Sequence, residues 1–198
     1  LKIDTGMHRV GCTPAEARTM VDAIAERSEL VLGGVCTHLA IADEPEDPYT
    51  AEQLGRFDAL LADLIASGVD VGLRHASNSA GLLAFPAAHY DLVRTGITIY
   101  GIAPAALLAD RIPLLPALSF KARVSYVKTV PAGSRLSYGL RYEVSRSSRI
   151  ATVPVGYADG VPRNLAHVGG EVLVGGRRVP IAGTVTMDQI LLDLGDNP

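Results

Sequence analysis

The most suggestive chemistry lies in residues 93–101, where a single arginine follows a short apolar run and glycines follow the arginine. The guanidinium of Arg94 can donate hydrogen bonds but cannot accept a proton, because its pKa is too high. Gly96 would let backbone N–H groups approach an anion such as a phosphate. In a barrel of parallel strands, ligands bind where the strands end. An arginine after a strand is more often a surface ion-pair residue, so both interpretations stay open for this segment alone.

Three more basic side chains flank loops at predicted strand ends. Lys2 and Arg9 enclose a glycine-containing loop, and the fork of Arg9 could bind a substrate carboxylate, although a solvated basic pair explains the spacing as well. His38 ends the second predicted strand, where it could tune a ligand or be an ordinary hydrogen-bonded polar residue. These positions are therefore candidates and nothing more.

A strand-to-helix turn contains His75, Asn78 and Ser79. Ser79 stands near a helix N-terminus, where a hydroxyl and free N–H groups can hold a phosphate. Capping of the helix by Asn78 explains the same residues equally well.

Polar groups interrupt the second half of the chain at three places. Tyr138 precedes Gly139, and a tyrosine there is usually half-buried packing unless its surroundings lower its pKa from about 10. The strand pattern also breaks around Tyr157 and around Met187 and Asp188. Most such breaks are turns.

Strand and helix patterns alternate in the first half, which predicts a parallel sheet or a (β/α) barrel. Thr13, Pro14 and Glu16 are typical of a helix start, and Gly68 is placed to end the next helix. The predicted strands cover residues 1–3, 30–39, 71–76 and 92–94, and the helices begin at residue 13, cover 54–65 and cover 78–84. A full (β/α)₈ barrel takes about 250 residues, so about half of one fits.

From residue 118 the apolar residues alternate, which is the period of a strand. Residues 171–174 and 177–181, joined by two glycines, predict a hairpin, and residues 190–194 predict a further strand. We therefore expect two domains. Residues 1–112 would form the second half of the (β/α)₈ barrel, and residues 113–198 would form an incomplete β domain.

Composition excludes several classes of function. The 198 residues are 48% hydrophobic and 20% charged with a net charge of −3, and no basic run suggests nucleic acid or an anionic membrane surface. The two cysteines show no metal-ligand spacing and favour a reducing, cytoplasmic compartment. No apolar run reaches membrane-spanning length. The chain opens and closes on strand-like residues, which predicts an internal piece of a longer protein.

Taken together, the motifs resemble those of the pyridoxal-phosphate-dependent alanine racemases over nearly the whole chain. Their order and spacing match as well as their residues. The matching strings are residues 2–11, 37–38, 78–81, 93–101, 137–139, 155–160 and 187–189.

The resemblance implies a (β/α)₈ barrel followed by a β domain, in a homodimer whose active sites are shared between subunits. It also implies a role for each candidate residue. Tyr138 would be a catalytic base. Ser79, Gly96 and Ile97 would hold the cofactor phosphate, Arg94 would face the pyridine nitrogen, and His38, His75 and Asn78 would support this cofactor site. Arg9 would bind the substrate carboxylate with Lys2 holding it, Tyr157 would line the entrance, and Met187 and Asp188 would reach across the dimer.

The resemblance also implies that the protein racemises L- and D-alanine with two bases on opposite faces of the substrate, and that it supplies D-alanine for peptidoglycan. The second base, the lysine that forms the Schiff base with the cofactor, would lie upstream of Leu1, and a phosphate-binding tyrosine would lie beyond the last residue. We therefore expect this chain alone to be inactive. The alternatives are a serine or broad-specificity racemase and a non-catalytic cofactor-binding or regulatory racemase-like domain.

Overall fold

The computed structural model describes residues 1–196. The chain divides into two compact units, Leu1–Ser119 and a second unit that begins at Phe120. Each unit has hydrophobic clusters of its own. The sequence-based boundary after residue 112 lies in residues 109–125, which contain neither helix nor strand.

The first unit alternates helices with short parallel strands, as the sequence predicts for its α/β class. Its strands and α-helices are α1 (Ala17–Ala25), β1 (Gly34–Cys36), α2 (Tyr49–Ala66), β2 (Leu73–His75) and α3 (Ser79–Ala84). Single 3₁₀ turns cover Pro14–Glu16, Pro86–Ala88, Ile97–Tyr100 and Ala106–Leu108.

The two long helices follow from local sequence signals. Before α1, the carboxylate of Glu16 accepts a 2.8 Å hydrogen bond from the backbone N–H of Thr13, which is the reach-back half of a capping box. Along α2, apolar residues at helical spacing bury one face, with Phe57 fully buried. Gly68 follows the end of α2 with φ +85°. This left-handed conformation is common after a helix, and glycine adopts it at little cost in free energy.

The parallel strands are shorter than predicted but lie in the predicted places. β1 pairs with β2 in parallel, and Lys2 and Ile3 add single bridges, Lys2 to Cys36 and Ile3 to Cys12. The predicted strand of residues 30–39 is reduced to three residues. Its first apolar residues face solvent, since Val31 is 89% exposed, so the apolar run overstated the buried strand. That the first unit is the second half of an eight-stranded barrel stays a prediction.

The second unit is built from antiparallel strands. A three-stranded sheet has the order β3–β6–β9, from Tyr126–Val130, Ser148–Val153 and Ile190–Asp193. Two further pairs are β4 (Arg135–Leu136) with β5 (Tyr142–Glu143), and β7 (Glu171–Val174) with β8 (Arg177–Pro180). Turns of 3₁₀ type cover Tyr138–Leu140, Tyr157–Asp159 and Leu165–Val168.

The β7–β8 hairpin confirms the prediction from its glycine pair. Gly175 and Gly176 have φ of 57° and 80°, the two positive values that a type I′ turn needs. The last strand ends at Asp193 as the pattern predicts to within one residue. The predicted β domain extends to residue 198, and residues 197 and 198 lie outside the described residues.

Two strand predictions are wrong. Residues 118–124 alternate in polarity yet form no strand, and the first pairing is the bond from the N–H of Ser125 to the carbonyl of Thr152. Leu118 and Phe120 are 82% and 62% exposed, so this alternation has no sheet face to pack on. Residues 92–94 also form no strand. No helix among the described residues is long and apolar enough to cross a membrane.

Candidate functional site

Arg94 links the carboxyl ends of the two parallel strands. Its Nη2 donates hydrogen bonds to the carbonyl oxygens of Thr37, at 2.7 Å, and Ala76, at 3.1 Å. Thr37 directly follows β1 and Ala76 directly follows β2, and both residues are fully buried. The prediction that Arg94 ends a strand of its own is therefore wrong in detail. Its backbone N–H instead donates to the carbonyl of Ser77, and the side chain reaches the strand ends from a neighbouring segment.

Two histidines face the guanidinium of Arg94. Nη1 of Arg94 is hydrogen-bonded to Nδ1 of His75, and Nη2 lies 3.3 Å from Nδ1 of His38. Because a guanidinium only donates, Nδ1 of His75 accepts, so this imidazole is neutral and carries its proton on Nε2. The two hydrogens of Nη2 are shared among the carbonyls of Thr37 and Ala76 and the more distant Nδ1 of His38. The individual motifs named these three residues separately, and the family resemblance assigned them to one site; the structure brings their side chains into contact.

The electrostatic surroundings keep both histidines neutral. Burial lowers the pKa of the His38 imidazole, and the positive charges of Arg94, Arg9 and Lys2 lower it further. Burial and the charge of Arg94 likewise lower the pKa of His75. Neither histidine therefore adds a positive charge beside Arg94 near neutral pH.

The Nε–H of Arg94 is available to bind a ligand. Three of its four partners are on Nη2 and one is on Nη1, so within residues 1–196 the Nε–H and one hydrogen of Nη1 have no hydrogen-bond partner. A side chain held by four partners, with its Nε–H unpaired, is suited to donate a hydrogen bond to an acceptor atom of a ligand.

Ser79 joins the helix α3 start to the segment that follows Arg94. Its buried hydroxyl accepts hydrogen bonds from the N–H groups of Gly96, at 2.9 Å, and Thr98, at 3.3 Å. Gly96 is exposed, and a Cβ built there would meet nothing closer than the Ser79 hydroxyl at 3.8 Å. Ile97, half-exposed, begins the next 3₁₀ turn, and its N–H has no partner in the described part of the chain. Open space beside Gly96 therefore adjoins the unpaired N–H of Ile97.

Asn78 acts as the helix cap that the sequence allowed. Its side-chain oxygen accepts from the N–H of Gly81 at 2.9 Å, and its Nδ2 donates to the carbonyl of Leu39 at 3.2 Å. Both hydrogen bonds stay within the protein, so Asn78 positions the turn that carries Ser79.

The loop between Lys2 and Arg9 is ordered by its own carboxylate. Asp4 accepts hydrogen bonds from the N–H groups of Gly6 and His8, both at 3.0 Å. Arg9 is exposed, and no hydrogen bond joins it to the Lys2 side chain within residues 1–196. The structure therefore places both charges near His38 without pairing them.

In the second unit, Tyr138 sits on a loop whose backbone is tightly held. The hydroxyl of Thr184 donates to the carbonyl of Tyr138 at 2.8 Å, and the hydroxyl of Ser137 donates to the carbonyl of Thr184 at 2.9 Å. The Tyr138 side chain itself is 76% exposed. It borders an open cavity of about 430 Å³ that Arg141, Arg163 and His167 also line.

Tyr157, Met187 and Asp188 belong to one loop cluster of the second unit. The N–H of Tyr157 donates to the carbonyl of Thr186, and the N–H of Ala158 donates to the carbonyl of Met187. All three predicted side chains are exposed. The guanidinium of Arg163 lies 5.9 Å from the ring centre of Tyr157. The structure thus brings together two segments that lie about 30 residues apart in sequence.

Sequence reasoning missed the residues that hold the site in place. Thr37 and Ala76 act through backbone carbonyls, which carry no side-chain signal. Gln53 is fully buried and contacts the strand ends, and it did leave a signal. It occupies the apolar stripe of α2, four residues before Phe57, where an amide is out of place unless it has partners.

These features define a protein of the parallel α/β class that has a candidate ligand site and a separate antiparallel β unit. The candidate ligand site consists of the fixed guanidinium of Arg94 with two neutral histidines, next to the turn in which Ser79 contacts Gly96. Among the described residues no cluster of three or more histidine, cysteine or acidic side chains could hold a metal ion.

Comparison with known proteins identifies the family. Residues 1–104 match the model of the alanine racemase N-terminal domain, and residues 117–198 match that of the C-terminal domain. The alanine racemase of Symbiobacterium thermophilum is 50% identical over 197 residues, and that of Halothermothrix orenii is 44% identical over 198. The match covers the whole chain but 52% of either relative, so the chain spans about half the length of the curated relatives.

Solved structures agree. The alanine racemase of Streptomyces coelicolor A3(2) has a TM-score of 0.92 and 41% identity, and that of Bacillus anthracis with bound L-Ala-P has 0.87 and 39%. Each match covers all of this chain, with 53% and 52% of the respective structure. The chain belongs to the alanine racemase family, a family of pyridoxal-phosphate-dependent isomerases with a TIM barrel and a C-terminal β domain.

Proposed function

We propose that this chain forms part of an alanine racemase that interconverts L- and D-alanine with pyridoxal 5′-phosphate. One observation carries the proposal. Arg94 is held by four acceptors at the strand ends, flanked by two neutral histidines, and has its Nε–H unpaired within the described residues. A donor fixed in this way fits the pyridine nitrogen of the cofactor.

The first unit would hold the cofactor. Arg94 would donate to the ring nitrogen without giving up its proton, so the nitrogen would stay unprotonated. Ser79, Gly96 and Ile97 would hold the phosphate, because a free N–H and open space lie beside a hydroxyl there. The bound cofactor would supply the electron sink that stabilises the charge left when the α-proton departs.

Supporting residues would fix this arrangement. His38 and His75 would orient Arg94 by accepting from its guanidinium, and Asn78 would hold the turn of Ser79. Arg9, which is exposed, would bind the carboxylate of the amino acid, with Lys2 keeping Arg9 in place. This assignment keeps two positive charges near His38, in agreement with its lowered pKa.

Proton transfer would belong to Tyr138. Its hydroxyl would take the α-proton from one face of the substrate or return a proton to that face. A second base, the lysine expected outside this chain, would serve the other face. Two observations support this role. The ring of Tyr138 is exposed and can reach a substrate outside its own loop, and its backbone is held by a hydrogen bond.

The second unit would also shape access to the site. Tyr157 would line the entrance, and Met187 and Asp188 would reach across a homodimer with active sites shared between subunits. We further propose that the enzyme works in a bacterial cytoplasm and supplies D-alanine for peptidoglycan. The exposed positions of these three side chains support such contacts.

Racemisation assays on the full-length parent test the proposal. We expect purified holoenzyme to abolish the optical activity of L-alanine and of D-alanine, and to turn over L-serine more slowly. A preference for serine would change the substrate and leave the reaction class intact. No conversion of any amino acid, together with intact cofactor absorbance, would favour a non-catalytic binding or regulatory role.

A further inference from the structure

Helix α2 turns a row of polar side chains toward the loops that carry the site. Tyr49, Gln53 and Arg56 lie at spacings of four and three residues, so they share one face of the helix. Each donates to a backbone carbonyl in the loop after Ile3 or in the loop after β1. The hydroxyl of Tyr49 donates to Gly6 at 2.9 Å, and Nη1 of Arg56 donates to Thr5 at 2.8 Å.

Gln53, at the centre of this row, holds the loop of His38 from both sides. Its Nε2 donates to the carbonyl of His38 at 3.0 Å, and its Oε1 accepts from the N–H of Ala40 at 2.8 Å. The residue has no solvent-exposed surface. A buried amide is costly unless it is hydrogen-bonded, so these contacts account for an amide within an apolar stripe.

A second path runs from Gln53 to the arginine. Its Nε2 also donates to the hydroxyl of Thr5 at 3.3 Å, and that hydroxyl lies 2.7 Å from the hydroxyl of Thr37. The carbonyl of Thr37 accepts from Arg94. If Thr5 accepts from Gln53 and donates to Thr37, every bond in this buried chain has a donor and an acceptor.

We propose that Gln53 is a positioning residue for the reaction, because its amide sets the positions of the His38 loop and of the Thr37 carbonyl that anchors Arg94. This inference rests on the proposed racemase function. Gln53 does not touch the reacting atoms. It acts through His38 and Thr37, from a helix that lies behind the strand ends.

Two substitutions in the full-length holoenzyme separate positioning from simple packing. Gln53→Met keeps the length and apolar volume and removes all three hydrogen bonds. Thr50→Val is the matched control, because Thr50 lies on the same helix, is equally buried, and has a hydroxyl without a partner in residues 1–196. We expect Gln53→Met to lower kcat for alanine about 10–100-fold, the scale of a small misplacement of catalytic groups. Thr50→Val should stay within about twofold of the parent.

A readout independent of turnover follows the His38 ring. In ¹³C-histidine-labelled holoenzyme, Gln53→Met should shift the His38 ring signals and leave those of the exposed His167 unchanged. A merely structural role would lower stability without moving these signals. If both variants behave alike in turnover and in the His38 spectrum, the positioning role is overturned.

Gln53→Glu offers rescue by a near-isosteric group and serves if Gln53→Met fails to fold. The introduced carboxyl can still donate to the carbonyl of His38 when it is protonated, while the ionised form cannot, and burial raises the pKa of a carboxyl. The ratio of variant to parental activity should therefore fall as pH rises through that pKa. A ratio independent of pH would overturn the role. If the His38 signals move but the parent racemises no amino acid, the positioning stands and the proposed function fails.

Discussion

The Arg94 centre and the Tyr138 loop solve the problem of presenting a functional group in opposite ways. Arg94 is fixed through its side chain, whose Nη atoms have four partners at the ends of β1 and β2. Tyr138 is fixed through its backbone, and its ring projects into solvent, 76% exposed. The first group is therefore oriented by its own unit, and the second needs something beyond its own loop to orient it.

The backbone of the Tyr138 loop shows how this placement is achieved. Ser137, Gly139 and Leu140 all have positive φ, at 60°, 75° and 49°. Positive φ is unfavourable for serine and leucine and is retained only where surrounding contacts hold it. Here the reciprocal hydroxyl bonds of Ser137 and Thr184 supply those contacts. Tyr138 is therefore positioned by a strained backbone that hydrogen bonds hold in place, whereas Arg94 is positioned by hydrogen bonds of its own side chain.

Loss of the Tyr138 hydroxyl should produce the largest functional effect. Tyr138→Phe in the full-length parent should slow racemisation by about 10²–10⁴-fold, the usual worth of a positioned acid–base group. Stability in urea should not change, because the ring is exposed. Tyr126→Phe, an exposed tyrosine of the same unit, is the control and should leave both properties unchanged.

Solvent exchange sharpens this prediction. In deuterated solvent, Tyr138→Phe should retain α-proton exchange of D-alanine and lose that of L-alanine, because only one of two bases is removed. Equal loss from both enantiomers would mean that Tyr138 has a structural role.

Displacing the backbone of the Tyr138 loop should have the next largest effect. A Cβ on Gly183 would lie 2.5 Å from Cβ of Ser137, and Gly183 has φ +85°. Gly133→Ala is a matched control, with φ +78° and nothing within 4 Å. The left-handed conformation costs each alanine about 1–2 kcal/mol, and the clash adds about 1–3 kcal/mol for Gly183→Ala alone.

Urea unfolding and racemisation of the full-length variants measure this difference. Gly183→Ala should be less stable than Gly133→Ala and should also lose activity, since Ser137 moves with Tyr138. If the two alanines unfold alike, the Ser137–Gly183 contact does not define the loop.

Removal of the Arg94 guanidinium should lower stability, in contrast to Tyr138→Phe. Arg94→Met leaves the buried carbonyls of Thr37 and Ala76 unpaired, which should lower the free energy of unfolding by about 1–3 kcal/mol. Arg27→Met, at an exposed ion pair with Glu29, should cost at most about 1 kcal/mol. Equal losses in urea unfolding would contradict the anchoring described for Arg94. A fall in cofactor affinity confined to Arg94→Met would support its place at the cofactor.

The smallest effect concerns pH. The pKa values of His38 and His75 are lowered on folding, so the unfolded chain binds more protons below its histidine pKa of about 6.5. Stability should therefore fall as pH drops from about 7 to about 5, as protonation opposes the bonds to Arg94. The double variant His38→Gln/His75→Gln should show a flatter dependence in urea unfolding. An unchanged slope would mean that these histidines are not held neutral.

Local patterns were sufficient for much of the fold. The capping signals before α1, the apolar stripe of α2 and the glycine pair of the β7–β8 hairpin all predicted elements that the structure contains. The alternation at residues 118–124 failed, because a strand requires a partner for its hydrogen bonds and no pattern within one segment reveals that partner. The roles of the candidate site residues remain predictions, and the proposed experiments are their test.

The sequence by itself determined residue types, their order and the family they match, because these depend on local spacing and motif strings. The family resemblance assigned Arg94, His38 and His75 to one site, but only tertiary structure decided which atoms meet and that Arg94 reaches the carbonyl of Thr37, since these partners lie 19 to 57 residues away in the chain. Tertiary structure also supplied the hydrogen-bond partners that allow the Gln53 amide to be buried. The amide of Gln53 stands out within the apolar stripe of α2, but the carbonyls that Gln53 and Arg94 contact carry no sequence signal, because every residue has a carbonyl and only folding selects which ones a side chain reaches.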